Sequence, residues 1–210
     1  VGDEPLLIHR RAGCPVVVGR DRVAAARALL AAHPECDVIV ADDGLQHYRL
    51  ARDVEVVVCD GRGVMNGWPL PAGPLREPVA RLREADALVL NGRCTAAVPG
   101  VAVFRMDLEG ARFHRLDDPA QTCAPAELVG KRLHALAGIG DPARFFAHLE
   151  ELGLSCETHE FPDHHRYAGA DFPREGDAIV TTEKDAVKFP VDLALPVWVL
   201  PVAARLEPDL

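Results

Sequence analysis

The chain has 210 residues, of which 49% are hydrophobic, and it carries a formal net charge of −9 at pH 7. That length suits one large or two small domains with a packed core, and an acidic chain without a basic run argues against nucleic acid as the main partner. No apolar run approaches the ~20 residues of a membrane-spanning helix, and no signal-peptide pattern is present. The six cysteines contain no Cys-x-x-Cys pair, which indicates a reducing compartment rather than a zinc ribbon or a disulfide scaffold.

Short apolar runs alternate with amphipathic segments along most of the chain. In the first half, the pattern predicts strands at residues 15–18, 38–41, 54–59 and 87–90, and helices at residues 21–32 and 78–85. In the second half, it predicts a hairpin of residues 101–106 and 111–116, strands at residues 134–137, 155–161, 178–182 and 197–202, and helices at residues 142–152 and 183–189. Such alternation predicts an α/β fold, with a parallel sheet and helices on its faces.

The apolar run at residues 38–41 ends at two adjacent carboxylates, Asp42 and Asp43. A short β-branched run of this kind predicts a strand that is buried on both faces. Ligands of open α/β sheets bind beyond the carboxyl ends of the strands, and a strand that ends in Asp holds magnesium in P-loop enzymes. The alternative interpretation is an ordinary Asp-Asp-Gly turn.

A long loop, residues 60–78, follows the next predicted strand and contains Trp, Met and several aliphatic side chains. Loops of this length are usually functional or disordered, and this composition argues against disorder.

Five segments carry a resemblance to a known family. They are Gly-Asp-Glu-Pro at 2–5, Asp-Asp-Gly-Leu-Gln-His-Tyr at 42–48, Leu-Pro-Ala-Gly-Pro-Leu-Arg-Glu-Pro at 70–78, Phe-Pro-Asp-His-His-x-Tyr at 161–167 and Thr-Thr-Glu-Lys-Asp-Ala-Val-Lys at 181–188. In this order they resemble the tetraacyldisaccharide 4′-kinases, the membrane-associated P-loop phosphotransferases of the lipid A pathway in Gram-negative bacteria. The resemblance implies an ATP- and Mg²⁺-dependent kinase that phosphorylates the 4′-hydroxyl of a tetraacyl disaccharide 1-phosphate, the lipid A precursor.

The resemblance also implies catalytic residues. Asp3 matches the candidate general base, and a histidine of the Asp-His-His segment would form a dyad with it, because a carboxylate that is hydrogen-bonded to an imidazole is a stronger base. His164 is the first choice for that histidine and His165 the second, with Asp163 beside them. A polar turn at this position is the alternative interpretation.

Carboxylates near the nucleotide would hold the magnesium ion. The resemblance assigns this role to Asp42, Glu4 and Asp43, which would lie on the magnesium side of the bound ATP.

The loop and the segment around it would bind the sugar-phosphate headgroup. Arg62 and Arg76 offer bidentate donors to phosphate oxygens, and Gln46 and His47 complete the matched segment. Residues 64 and 65 depart from the family, because Val-Met stands where Phe-Gly is more usual and a Met adopts a positive φ only at a cost.

No segment matches the phosphate-binding pattern Gly-x-x-x-x-Gly-Lys-Ser/Thr. We therefore expect a fragment of the kinase that lacks the N-terminal P-loop segment and is inactive by itself. The expected location is the cytoplasmic face of the bacterial inner membrane, with peripheral attachment and no spanning segment.

These observations predict an incomplete P-loop kinase-like core at residues 1–106, a hairpin or linker at residues 107–125, and a smaller C-terminal α/β lid domain at residues 126–210. Because Asp3 and His164 belong to different predicted parts, closure of the lid would bring them together. Two other functions stay open from the sequence. One is a non-catalytic nucleotide- or sugar-binding module, and the other is a metal-dependent hydrolase built from Asp42, Asp43, His164 and His165.

Overall fold

The computed structural model describes residues 2–92, 94, 98–190 and 192–208. The helices are α1 (Asp3–Ala12), α2 (Arg22–Ala32), α3 (Pro142–Glu151) and α4 (Glu183–Ala186), with 3₁₀ turns at Val79–Glu84, Pro125–Glu127 and Gly169–Asp171. The strands are β1 (Val56–Cys59), β2 (Ala87–Asn91), β3 (Ala102–Glu109), β4 (Phe113–Arg115), β5 (Thr122–Cys123), β6 (Leu133–Ala137), β7 (Cys156–Glu160), β8 (Ala178–Thr182), β9 (Val197–Leu200) and β10 (Ala203–Pro208). None of the helices among these described residues is long and apolar enough to cross a membrane.

The chain forms two compact units, each with its own sheet. The six-stranded unit comprises Val1–Arg20, Ala28–Pro34 and Gly110–Val202, and the four-stranded unit comprises Asp21–Arg27, Glu35–Glu109 and Ala203–Leu210. This division differs from the predicted ranges, because α1 packs against α4 in the six-stranded unit and β10 pairs with β3 in the other sheet.

The six-stranded sheet has the order β5-β4-β9-β8-β6-β7. Its four strands β9, β8, β6 and β7 are parallel, and β4 and β5 are added antiparallel. The carboxyl ends of β6, β7 and β8 therefore meet at one edge, where the loops that follow these strands converge.

Apolar side chains alternate between the two faces of this sheet, because successive residues of a strand point to opposite sides. Leu133, Ala135 and Ala137 of β6 pack on the face that α3 covers with Phe145 and Leu149. On the other face of the sheet, residues that follow β7 and β8 pack against the strands and form a second core. Its buried members are Leu136, Phe172, Ile179, Ala186, Phe189, Val197 and Val199.

The four-stranded sheet has the order β1-β2-β3-β10, with β1, β2 and β3 parallel and β10 antiparallel to β3. Its buried core contains Leu88, Leu90 and Cys94.

The predicted α/β class with parallel strands and flanking helices is confirmed, and most predicted elements of the second half lie within one or two residues of their expected bounds. Asp21 caps α2, since its carboxylate accepts hydrogen bonds from the amides of Val23 and Ala24.

Two predicted strands are wrong. Residues 15–18 and 38–41 form no strand, and Val38 and Val40 are 70% and 89% exposed instead of buried. A strand needs a neighbour for its backbone hydrogen bonds, and no described strand pairs with either run. An apolar β-branched pattern alone does not show whether such a neighbour is present.

The predicted hairpin is also wrong. The first of its two segments is β3, which pairs with β2 and β10, whereas the second contains β4, which pairs with β5 and β9 in the other sheet. The chain passes from one sheet to the other between them instead of turning back on itself.

Candidate active site

A carboxylate and an imidazole that are 161 residues apart in the sequence meet in the six-stranded unit. Nδ1 of His164 lies 3.0 and 3.1 Å from the two carboxylate oxygens of Asp3. The Asp3 side chain is 10% exposed and the His164 side chain 56%. The buried carboxylate thus orients the imidazole, while the His164 side chain as a whole stays partly exposed.

Helix α1 places Asp3, and this helix was not expected from the sequence. Asp3 and Glu4 occupy its first turn, where the helix dipole favours negative charge. Two ion pairs then fix α1 against α4: Nη1 of Arg11 lies 2.6 Å from Oε2 of Glu183, and Nζ of Lys184 lies 2.8 Å from Oε1 of Glu4. The carboxylate of Asp3 is therefore held at the carboxyl edge of the six-stranded sheet.

The loop after β7 places His164. Its backbone amide donates to Oδ1 of Asp163 at 3.0 Å, and its φ is +60°. Left-handed backbone is uncommon for non-glycine residues and clusters at functional sites, and histidine tolerates it better than most residues. Oδ2 of Asp163 lies 3.6 Å from Nε2 of His164, so that the imidazole has a carboxylate near each of its two nitrogens.

The neighbouring His165 has a different environment. Its Nε2 lies 3.0 Å from Oδ2 of Asp171, and its ring stacks on Phe161 with a centroid distance of 4.7 Å. His164, not His165, therefore contacts Asp3.

A buried ion pair between Lys188 and Asp185 lies next to Asp3, at the carboxyl edge of the six-stranded sheet. Nζ of Lys188 lies 2.8 Å from Oδ1 of Asp185 and 3.6 Å from Oδ2 of Asp3. Oδ2 of Asp185 accepts hydrogen bonds from the amide of Gly138 and the hydroxyl of Thr182, at 3.0 and 2.8 Å. Lys188 therefore adds positive charge next to the Asp3 carboxylate.

Gly138, the first residue after β6, lies where a side chain would have little room. A Cβ atom at this position would lie 3.0 Å from the Tyr167 hydroxyl and 3.1 Å from the carbonyl oxygen of Pro162. The Tyr167 hydroxyl is buried beside Asp185, and burial together with that carboxylate raises the pKa of Tyr167 well above its usual range.

Local electrostatics favour the charged forms of the site residues. Burial opposes ionisation of Asp3, but the hydrogen bonds from His164 and from the amide of Glu4, with a smaller contribution from the charge of Lys188, outweigh it and lower the pKa of Asp3. Burial likewise opposes ionisation of Asp163, and the hydrogen bond from Lys184 outweighs it and lowers the pKa of Asp163. Burial acts to lower the pKa of Lys184, whereas its hydrogen bonds to Glu4 and Asp163 raise it on balance.

The other predicted site residues lie in the four-stranded unit. Asp42 and Asp43 are exposed, Asp43 has a φ of +48°, and its Oδ1 lies 3.3 Å from Nη2 of Arg76. Nη2 of Arg62 donates to the carboxylate of Asp60, within the predicted headgroup loop.

Gln46 and His47 are half-buried in the same unit. Nε2 of Gln46 donates to Oε1 of Glu77 at 2.6 Å, and the amide of His47 closes a turn on the carbonyl of Gly44 at 3.0 Å. Gln46 also lines a cavity of about 200 Å³ whose wall includes Arg76, Glu77 and apolar residues of β1. The structure thus brings Gln46 and Arg76 to one cavity.

Comparison with known proteins places the chain in a family. The family model described as tetraacyldisaccharide-1-P 4′-kinase, LpxK, matches residues 1–210. The chain belongs to this kinase family.

Two curated relatives illustrate the match. A tetraacyldisaccharide 4′-kinase from Dechloromonas aromatica is 57% identical over 214 residues and one from Aromatoleum aromaticum is 52% identical over 211 residues. The matches cover 100% and 98% of this chain, and the chain spans 64% and 62% of the length of these relatives. A crystal structure of LpxK from Aquifex aeolicus in complex with ATP is 31% identical, with a TM-score of 0.79 and coverage of 98% of this chain and 65% of that one.

The family resemblance read from the five segments is confirmed by these matches. The sequence predicted that Asp3 and His164 belong to two different parts of the chain. In the structure they lie in the same unit and contact each other there. The contact between Asp3 and His164 therefore lies within one unit.

Sequence reasoning missed Lys188 and Gly138. Lys188 belonged to a matched segment, and its spacing of three residues from Asp185 on a helical turn was a signal for an ion pair. Gly138 had no comparable signal, because its importance arises from Tyr167 and Pro162, which are distant in the sequence.

Proposed function

We propose that the protein is a lipid kinase that transfers a phosphoryl group from ATP, with Mg²⁺, to the 4′-hydroxyl of a tetraacyl disaccharide 1-phosphate, the lipid A precursor. The hydrogen-bonded pair of Asp3 and His164 carries this proposal, because phosphoryl transfer to a sugar needs a group that accepts the hydroxyl proton. The names of the relatives, which are tetraacyldisaccharide 4′-kinases, and the ATP in the related Aquifex structure support it.

The Asp3–His164 pair acts as the general base in this proposal. Nδ1–H of His164 donates to Asp3, which leaves the lone pair of the ring on Nε2. The dyad gains the proton of the acceptor hydroxyl and holds it as an imidazolium paired with the Asp3 carboxylate, which its lowered pKa keeps ionised. Asp163 lies on the Nε2 side, where it stabilises the same imidazolium.

Asp42, Asp43 and Glu4 are the proposed magnesium-side carboxylates. Mg²⁺ prefers oxygen donors and keeps several of its waters, so exposed carboxylates such as Asp42 and Asp43 fit it. Oε1 of Glu4 is bound to Lys184, and its role would be to position this lysine or to contact a magnesium-bound water. When bound, Mg²⁺ neutralises charge on the transferred phosphoryl group.

The triphosphate of ATP has no assigned contact in this chain. Its sequence contains no Gly-x-x-x-x-Gly-Lys-Ser/Thr loop, whose backbone amides cradle phosphates in P-loop enzymes. We therefore assign no residue of this chain to the grip on the triphosphate.

Arg62, Arg76, Gln46 and His47 are the proposed headgroup contacts. Arg76 and Gln46 share one cavity, and an arginine can bind a phosphate through two parallel hydrogen bonds. A substrate with four acyl chains resides in a membrane, so the enzyme would work as a peripheral protein at the cytoplasmic face of the inner membrane.

The test is a kinase assay of the full-length protein with ATP, Mg²⁺ and the tetraacyl disaccharide 1-phosphate. We expect Asp3→Asn and His164→Asn each to lower kcat by about 10²–10⁴-fold, the usual contribution of general-base catalysis. His165→Asn is the matched control, because this histidine also pairs with an aspartate but does not contact Asp3. Near-wild-type turnover of the Asp3 and His164 variants, with unchanged thermal unfolding, would contradict the proposal.

A further inference from the structure

A second group of ionisable side chains lies in the six-stranded unit, and the proposed phosphoryl transfer uses none of them. It consists of His134, Glu157 and His159, each of which offers a ligand atom within 4.8 Å of the others. Nδ1 of His134 lies 3.1 Å from Nε2 of His159 and 3.6 Å from Oε2 of Glu157, and Nε2 of His159 lies 3.8 Å from Oε1 of Glu157.

The register of two parallel strands produces this cluster. His134 of β6 is aligned with Glu157 of β7, and Leu136 is aligned with His159. Residues two apart on a strand point to the same face, so Glu157 and His159 lie on one side of β7 and meet His134 there. β7 is an edge strand of the sheet, which leaves the Glu157 side chain 69% exposed while that of His134 is 12% exposed.

The second nitrogen of His134 is held by the backbone. Nε2 of His134 lies 2.7 Å from the carbonyl oxygen of Glu175. A carbonyl oxygen only accepts, so the ring proton is on Nε2 and the lone pair is on Nδ1, which faces His159 and Glu157. Histidines that bind metals almost always donate their other N–H to a carbonyl or carboxylate in this way.

The loop that supplies this carbonyl packs closely on the ring. A Cβ atom on the adjacent Gly176 would lie 2.8 Å from Nε2 of His134. The ring is thereby fixed in the orientation that aims Nδ1 at the cluster.

The separations between the donors suit one small ion. Zinc with nitrogen or oxygen ligands at about 2.0–2.1 Å in tetrahedral geometry places neighbouring ligand atoms about 3.3 Å apart. The two histidine nitrogens are 3.1 Å apart, close to that value, and the two oxygens of Glu157 lie 3.6 Å from Nδ1 of His134 and 3.8 Å from Nε2 of His159. Two histidines and one glutamate with an open fourth position form a ligand set that zinc enzymes use, whereas magnesium prefers oxygen ligands only.

We propose that His134, Glu157 and His159 form a binding site for one divalent transition-metal ion, with zinc as the best fit. The fourth ligand is a water molecule from the exposed side. In the metal-free state Nε2–H of His159 donates to Nδ1 of His134, and on binding that proton moves to Nδ1 of His159, so both rings stay neutral. The ion joins β7 to β6 and so stabilises the edge of the six-stranded sheet.

The proposal is tested by calorimetric titration of zinc into the metal-free full-length protein. We expect His134→Gln, His159→Gln and Glu157→Gln each to weaken binding of one zinc equivalent about tenfold or more. Glu157→Gln is the variant that most safely keeps the fold, because the Glu157 side chain is largely exposed. Excess Mg²⁺ should not compete with zinc.

His148→Gln is the matched control. Nε2 of His148 also bonds a backbone carbonyl, that of Gly110 at 2.8 Å, and its Nδ1 also lies 3.6 Å from a glutamate, Glu151. This pair has the same local geometry as His134 and Glu157, but among the described residues no further ligand joins it to make a group of three. Zinc binding should therefore be unchanged in His148→Gln.

Absorption by Co²⁺ in place of zinc supplies a second measurement. Four-coordinate Co²⁺ absorbs strongly in the visible range, and the wild-type band should be lost in Glu157→Gln. Zinc binding that is absent from the wild type, or that is equal in the wild type and all three cluster variants, would overturn the proposal.

Discussion

The ammonium group of Lys188 lies 2.8 Å from Oδ1 of Asp185, whose side chain is 0% exposed. The other oxygen of this carboxylate is held by the amide of Gly138 and the hydroxyl of Thr182. Lys188 is therefore the cationic partner of a carboxylate that cannot be rehydrated without opening the edge of the sheet.

Replacement of Lys188 by Met should destabilise the protein by about 3–5 kcal/mol, because a buried carboxylate would lose its partner. Lys184→Met is the matched control, since its partners Glu4 and Asp163 are 50% and 42% exposed and should rehydrate at a cost of about 1 kcal/mol or less. Urea unfolding of both variants measures the difference. Equal losses would show that the burial of Asp185 does not decide the effect.

Glu77 should contribute to the dependence of stability on pH. Hydrogen bonds from Tyr48 and Gln46 lower the pKa of Glu77 below its usual value of 4.5. Because the folded-state pKa is lowered, this stabilisation is present above the unfolded value and is lost as the pH falls through the folded pKa. We therefore expect Glu77→Gln to lose less stability than the wild type when the pH falls below 4.5.

Glu84→Gln is the control for this pH effect. Glu77 lies 3.3 Å from Arg81 and Glu84 lies 3.5 Å from the same arginine, but the Glu84 side chain is 72% exposed. The unfolding free energy of the Glu84→Gln variant should therefore change with pH as that of the wild type does. The interpretation fails if Glu77→Gln and Glu84→Gln give the same profile below pH 4.5, as measured by urea unfolding.

Gly176→Ala should destabilise the six-stranded unit by about 1–3 kcal/mol, since it combines a clash with His134 and backbone strain at a φ of +129°. Gly130→Ala separates the two causes, because Gly130 has a φ of +80° but no atom within 4 Å of the added Cβ. Strain alone should cost about 1 kcal/mol at that position. Thermal unfolding of the two variants gives the comparison, and a smaller loss for Gly176→Ala would contradict the steric argument.

Arg76→Ala should raise the KM for the lipid substrate about tenfold or more while changing stability by about 1 kcal/mol or less, if Arg76 binds the phosphate. Arg205→Ala is matched to it, because both arginines form an ion pair at 3.3 Å and are 62% and 63% exposed. Steady-state kinetics with varied lipid, together with urea unfolding, tests the difference. An unchanged KM in Arg76→Ala would remove this residue from the proposed headgroup contacts.

The amino-acid sequence by itself determined the family and much of the second half of the fold. Five short segments identified the family because their residue types and order are specific. Helix α3 was predicted to within a residue, since Pro142 in the first turn and Gly153 after the end are local signals. β8 was predicted with the observed bounds, because it is a short apolar run in a buried parallel sheet.

Only the tertiary structure decided which of these segments pair and which side chains meet. Residues 38–41 and 178–182 have similar apolar patterns, yet only the second has neighbouring strands among the described residues. The contact of Asp3 with His164 depends on how α1 packs on α4, and the cluster at His134 depends on the register of β6 and β7. Local sequence patterns report the conformation of a few successive residues. Packing and strand register depend on residues far apart in the chain, and no local pattern contains that information.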